Sequence, residues 1–426
     1  MSRKSRIVSG TSAGLAAQIA IGVTQLISIP IFFSVWGSER YGIWLMLSTV
    51  PAYLSLTDLG IFSTVTTQIG LLLGSGKLSL ASQLFRDLQK LFRALSAVLL
   101  LVAGALFLLG LLYSEFFETF GTVAILVLSV ALSQFQGLTF GALRANNKFT
   151  LAICTGLGIQ VTEWFGLIVA LSNHGSLSQV AAGALVAKIL AVGASAIFAR
   201  KHIGSLKYEI RGGSLRNIRN YLRNSISALG LTLSNAVWIQ GSTLIAGATF
   251  GPIGAATLAT YRTVTRLPLQ FTAAFSQSLW PEFSLLFGSG ERDKLIAVYR
   301  KFRNLNALVG IAVVAVWFGI CLLIFPQLTS KNFDFEFALG AFFSLAAFIG
   351  ILSQAPRTLL LGTNRHLNLG YLYLLSSLLF LPVMVVFASI GGIEGLASAL
   401  VVGEMANLAL ANYSLRLQKE PLEGQG

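Results

Sequence analysis

Twelve apolar runs, each bounded by short polar breaks, follow one another along the chain at 8–35, 41–72, 92–113, 120–143, 150–172, 178–199, 222–248, 252–287, 304–326, 337–362, 368–390 and 393–413. A spanning helix needs roughly 20 mostly apolar residues, so each run is long enough for one bilayer crossing. The second, eighth and tenth runs exceed one crossing and should tilt, kink or project beyond the membrane. Pro51, Pro268, Pro281 and Pro356 mark expected kinks, because proline removes a helix hydrogen bond. The basic start Arg3-Lys4-Arg6 is that of a retained first helix: the apolar run behind it is too long for a signal peptide and no small-residue cleavage site closes it.

Composition agrees. Hydrophobic residues make up 55% of the 426 and charged residues 11%, with a mean hydropathy of +0.76. Soluble proteins carry roughly a quarter charged residues, so this is an all-α polytopic membrane protein. Cys154 and Cys321 fall in separate apolar stretches and read as small buried hydrophobes. The net charge of +14 gains meaning from its placement. With the N-terminus in the cytoplasm, 24 of the 30 Lys and Arg fall on that side: the N-terminus, 77–93, 144–148, 200–223, 292–303, Arg365 and the tail. Both termini are then cytoplasmic by the positive-inside rule. Basic loops beside anionic headgroups account for the charge without nucleic acid.

The chain also repeats itself. Trp36-Gly37 answers Phe250-Gly251, and Gly74-Ser75-Gly76 answers Gly288-Ser289-Gly290, both 214 residues later; Asn147-Lys148 answers Asn364-Arg365 at 217. Each half holds six helices, an even number, so the halves are parallel repeats about an axis along the membrane normal. The expected organisation is a six-helix lobe at 1–199, a basic cytoplasmic linker at 200–221, a second lobe at 222–413 and a tail at 414–426. Two such bundles suit a transporter that exposes one site alternately to either side.

Eight ionisable residues lie within the runs: Asp58, Glu163, Lys188, Arg262, Arg266, Glu282, Arg357 and Glu404. A charge at mid-bilayer costs at least about 2.5–3.5 kcal/mol on insertion scales and normally faces protein or water. Arg262 and Arg266 share one helical face, with Gln270 a turn further and Gln277 beyond. Such a pair repels unless an anion joins it, and guanidinium forks suit phosphate; neutralisation by Glu163, Glu404 or Asp58 is the structural alternative. Polar stripes at Thr11, Gln18 and Gln25 and at Ser227, Ser234, Trp238 and Ser242 fit a hydrated cleft or ordinary interhelical hydrogen bonding. Lys188 and Glu163 read as a buried pair. Asp58 and Glu404, and Glu163 after them, are carboxylates that could carry a proton or Na⁺. Arg357 and Glu282 lie near helix ends and read as snorkelling.

His174, His202 and His366 have no metal-ligand spacing, and Gly76-Lys77 lacks the first glycine and the Ser or Thr of a phosphate-binding loop. No organic or metal cofactor is expected, only a proton or Na⁺ gradient. The non-cytoplasmic loops are too short for a catalytic domain, which argues against an enzyme.

The stretch Trp36-Gly37-Ser38-Glu39-Arg40-Tyr41-Gly42-Ile43-Trp44, then Ser55-Leu56-Thr57-Asp58-Leu59-Gly60, resembles the opening of bacterial polysaccharide-export membrane proteins. Arg144-Ala145-Asn146-Asn147-Lys148-Phe149 is similar to their loop after helix 4. The chain is similar to the Wzx-type O-antigen flippases, within the superfamily that includes multidrug (MATE) extruders and the lipid II flippase; the fourteen-helix pattern of the last departs from the twelve seen here. The resemblance implies a V-shaped protein of two six-helix lobes in the bacterial inner membrane. It implies as cargo an undecaprenyl-diphosphate-linked oligosaccharide flipped to the periplasmic leaflet, with polysaccharide polymerase and chain-length proteins as partners. Arg262 and Arg266 resemble the cationic cavity residues of lipid-flipping members, Lys188 less closely; Gln270, Gln25 and Trp238 complete the expected substrate site. The alternative readings are a cation-coupled drug extruder of the same fold and, from another class, a membrane polymerase or ligase.

Overall fold

With no water to satisfy them in a bilayer, backbone polar groups must pair within the segment, which leaves helices as the economical solution for these runs. The computed structural model describes the backbone of all residues except 1–2, 59–60, 75, 147, 204–205, 207–212, 216–228, 333, 364, 366 and 418–426. Thr11, Asp58 and Gln277 are among helical residues whose side chains lie outside the described set, and Ser227, Asn147, Asn364 and His366 lie outside it altogether.

The described elements are helical, in the order α1 (Arg3–Leu47), α2 (Thr49–Leu54) and a 3-10 turn (Ser55–Asp58), α3 (Ile61–Gly74), α4 (Leu78–Leu112), α5 (Phe117–Ala145), α6 (Phe149–Ser172), α7 (Leu177–Arg200), α8 (Ser242–Thr265), α9 (Leu267–Gly288), α10 (Arg292–Leu328), α11 (Phe337–Gly362) and α12 (Leu367–Leu417). Nine described spans are long and apolar enough to cross a membrane. Three of these hold two expected helices run together: Ala16–Leu54 turns at Gly37, Leu229–Thr265 at Gly251 and Asn368–Leu417 at Gly391-Gly392. Divided at those glycines, the nine spans give twelve helical segments that follow the order of the twelve apolar runs, and the second and eighth runs continue past an interruption into α3 and α9. The chain is a multi-pass membrane protein.

The internal repeat is written in the backbone as well as the sequence. Gly37 (φ 69°, ψ −178°) and Gly251 (φ 73°, ψ −176°) adopt the same conformation 214 residues apart. That region is open essentially to glycine alone, so the landmark marks a turn with one physical solution. At the next landmark Gly76 and Gly290 are left-handed (φ 75° and 76°). Lys77 N–H donates to Leu72 O at 2.9 Å and Glu291 N–H to Leu286 O at 3.1 Å, the same helix-ending motif twice. The third landmark repeats likewise: Lys148 N–H donates to Leu143 O and Arg365 N–H to Leu360 O, again at offset 217.

Contacts divide the chain into two compact units, Met1–Ala17 with Leu47–Leu229 and Gln18–Met46 with Gly230–Gly426. Residues 18–46 therefore pack with the second half of the sequence. In the first unit, Phe85, Leu88, Phe92, Leu138 and Leu143 centre the larger core. Ile203 and Leu206, at the start of the expected linker, are buried in that core. Asn146 Nδ2 donates to Ile203 O at 2.9 Å, and Ser214 N–H donates to the carboxylate of Asp87. The described part of the linker is thus docked. In the second unit, Tyr261 lies among Phe325, Phe335 and Phe343, and Phe32, Trp36, Tyr41 and Trp44 gather around the Gly37 turn.

Of the expected kinks, Pro51 and Pro268 sit just after interruptions at Ser48 and Arg266, whereas Pro281 and Pro356 lie inside the helices α9 and α11. Cys321 is buried as expected, but Cys154 is exposed on α6. An apolar stretch says that a residue avoids water; it does not say whether protein or lipid covers it.

Candidate functional site

Pro268 cannot donate a backbone hydrogen bond, so the helix loses its bond to the carbonyl four residues back, at Val264. The indole Nε1 of Trp317 donates to that carbonyl at 2.7 Å. α8 stops at Thr265 and α9 begins at Leu267, leaving Arg266 as the residue between them. A second irregularity faces the first. Val237–Gly241 form a π turn at the entrance to α8, and Trp238 and Ile239 sit on it. Single π turns inside helices occur frequently at functional sites.

Arg262 ties the two together. Its Nη1 donates to Ile239 O at 2.8 Å and to Ser242 Oγ at 2.9 Å, and its Nη2 donates to Thr243 Oγ1 at 2.9 Å. All three acceptors are neutral, so the guanidinium is hydrogen-bonded while its charge remains. Arg266 differs: it makes no side-chain hydrogen bond or ion pair among the described residues.

Both arginines line a cavity of about 520 Å³ within the second unit. The wall draws on α1 (Gln25), the approach to α8 and its π turn (Ser234, Asn235, Trp238), α9 (Gln270, Ser276, Trp280), α11 (Gln354, Arg357) and α12 (Tyr373, Glu404, Asn407). Its ionisable chains other than tyrosine are three arginines and one glutamate, a formal charge of +2. Gln270 Nε2 donates to Gln25 Oε1 at 3.3 Å, joining α9 to α1. Gln354 is held more firmly, donating to Leu269 O at 2.9 Å and accepting from Ser276 Oγ at 2.8 Å. The Arg357 guanidinium lies over the Tyr373 ring at 5.6 Å, and the Tyr373 hydroxyl donates to Asn407 O at 2.9 Å. Glu404 lines the same cavity wall as Arg266, Arg357 and Asn407. Arg262, Arg266 and Glu404 also line a smaller cavity, together with Trp238, Ser242 and Phe343.

Six of the expected site residues therefore meet: Arg262, Arg266, Gln270, Gln25, Trp238 and Glu404. Two lie elsewhere. Lys188 and Glu163 form an ion pair at 3.2 Å in the first unit, and Ser129 bridges them, accepting from Lys188 Nζ at 2.9 Å and donating to Glu163 Oε1 at 3.0 Å. Lys188 is 6% exposed, so the expectation that it binds substrate gives way to the structural pairing. The Asp58 side chain lies outside the described residues. Arg357 corrects the expectation of snorkelling, for it lines the cavity, whereas Glu282 is exposed. Arg357 follows Gln354 and Ser353 along a polar stripe of α11, and that stripe is the signal in the sequence that points to it.

No family model matches the chain, and no curated protein matches it. Solved structures do. An inward-facing multidrug-resistance MATE family transporter of the MOP superfamily aligns with a TM-score of 0.75 at 16% identity, over 98% of this chain and 99% of that one. A Vibrio cholerae MATE transporter aligns with a TM-score of 0.64 at 18% identity, covering 98% of each. A MOP superfamily transporter from Pyrococcus furiosus, described as having a binding pocket of reversed polarity that suggests a different function, aligns with a TM-score of 0.66 at 16% identity, over 98% and 95%. The chain has the fold of these transporters.

Proposed function

We propose that this chain is a flippase that carries an undecaprenyl-diphosphate-linked oligosaccharide, an O-antigen unit or a similar repeat, from the inner to the outer leaflet of the bacterial inner membrane by alternating access, driven by a proton or Na⁺ gradient. The observation that carries the reading is the cavity charge: three arginines against one glutamate within an apolar protein. Holding three guanidinium groups at membrane depth is costly unless water or an anion receives them, and guanidinium forks match phosphate oxygens. The diphosphate head enters this cavity while the polyprenyl tail stays in lipid. Gln25, Gln270, Asn235 and Asn407 offer neutral donors and acceptors for the first sugar.

The fold is also that of multidrug extruders, and Glu404 gives that reading its one foothold, since an organic cation needs a carboxylate. The excess of guanidinium opposes it. In cells, an Arg266→Ala/Arg357→Ala double variant, with protein level and membrane insertion unchanged, should accumulate untransported lipid-linked sugar and lose surface polysaccharide. Normal polysaccharide together with raised sensitivity to cationic dyes would transfer the chain to the drug-extruder reading.

A further inference from the structure

A tryptophan that faces a cavity presents a broad apolar ring and a single N–H donor, a combination suited to ligands with an apolar face rimmed by hydroxyls. We infer that Trp280 is the platform for the first sugar of the cargo, recognising its carbohydrate and not its diphosphate; this rests on the flippase reading above.

Two tryptophans stand in the cavity wall, Trp238 and Trp280, and their states differ. Trp238 is 6% exposed. Its indole packs on Gly403 and meets the Phe380 ring at 5.6 Å, so it serves as wall. Trp280 is 41% exposed, and its Nε1 makes no hydrogen bond among the described residues. The indole of Trp317, by contrast, is committed to the Val264 carbonyl.

The height of Trp280 in the cavity is set by two hydrogen bonds between α9 and α11. Ser276 Oγ donates to Gln354 Oε1 at 2.8 Å, and Ser284 Oγ donates to Gly362 O at 2.7 Å, both across 78 residues. A constant difference means that the helices run parallel, with residue i beside residue i + 78. Trp280 lies four residues from each bond, level with Thr358 and therefore with its neighbour Arg357. Gly362 lets the helices close: a Cβ there would stand 2.8 Å from Phe283 Cβ and 3.2 Å from Trp280 O. The Cδ1 edge of the indole is 3.6 Å from the same point, so α11 braces the ring at that edge.

The first sugar is bonded directly to the diphosphate, so its platform has to stand beside the cation that holds the phosphate. Trp280 meets that condition on the helix next to Arg357. The cavity positions one and two turns up α9 are Ser276 and Ala273, both small. The C–H face of a pyranose packs on the ring through contacts that are individually weak, and Nε1 is there to donate to a hydroxyl.

The test uses the purified full-length chain in phosphatidylcholine nanodiscs. The diphosphate probe is a short-chain prenyl diphosphate methyl ester; the sugar probe is the same molecule with a monosaccharide in place of the methyl group, so both carry two negative charges. The wild-type protein should bind the sugar probe about fivefold more tightly. Trp280→Ala should abolish that advantage while holding diphosphate-probe affinity within about twofold, and Trp280→Phe, which keeps an aromatic face, should retain most of it. An advantage that survives in Trp280→Ala, or equal binding of both probes by the wild type, overturns the inference and leaves the flippase reading standing. Equal weakening of both probes in the variant marks a tryptophan that only anchors its helix, and overturns it too. Binding of neither probe by the wild type overturns both readings. Should Trp280→Ala fail to fold, Trp280→Leu keeps apolar bulk without a ring, and the same outcomes decide.

Discussion

The guanidinium of Arg262 donates to the carbonyl of Ile239 at 2.8 Å, across 23 residues of sequence, and pins the π turn that carries Trp238. A hydrogen bond to a charged group contributes roughly 1.5–3 kcal/mol. Arg262→Ala should therefore lower the unfolding midpoint in detergent, whereas Arg266→Ala, which removes no described hydrogen bond, should leave it nearly unchanged while abolishing transport. Thermal unfolding of the two variants side by side separates a positioning arginine from a ligand-binding one; equal midpoints would contradict the division.

Lys188 and Glu163 offer a second separation. Removing one partner of a buried ion pair strands the other and costs about 3–5 kcal/mol, while removing both can be nearly neutral. Lys188→Met alone should be severely destabilised, and Lys188→Met/Glu163→Gln should recover most of the loss. A double-mutant cycle on unfolding midpoints measures the coupling. Wild-type transport by the double variant would place the pair outside the mechanism.

The turn glycines should resist substitution. Gly251→Ala forces an alanine into a conformation that costs about 1–3 kcal/mol, and the backbone match predicts the same for Gly37→Ala. Gly104, inside α4, is the control, because no atom lies within 4 Å of the position a methyl group would take there. Gly104→Ala should be neutral or stabilising by up to about 1 kcal/mol. Expression level and midpoint of the three variants decide it.

Gly403 seats Trp238, and a methyl group there collides with the indole ring. Gly403→Ala should displace Trp238 and with it the neighbouring wall of the cavity. The expected outcome is weaker binding of the diphosphate probe by at least about tenfold, with a shift of tryptophan fluorescence; unchanged affinity would show that the wall tolerates the shift.

Much of this architecture is legible without coordinates because its causes are local. Twelve crossings follow from apolar length, since a bilayer forces each run to satisfy its own backbone. The repeat follows from Gly37 and Gly251 or Gly76 and Gly290, because the conformations they adopt admit few other residues. Arg262 and Arg266 are visible as a pair because they lie one helical turn apart. Arg357 and Glu404 are not assignable to the same site from the chain alone, being carried by other helices 91 and 138 residues beyond Arg266. Lys188 is as eligible a cavity cation as any by sequence, and only Glu163 and Ser129 around it remove it from the site. Hydropathy and turn chemistry act within a few residues and so are written along the chain. Whether a buried charge is cancelled or left open depends on which helix faces it, and that is set by packing across the whole bundle.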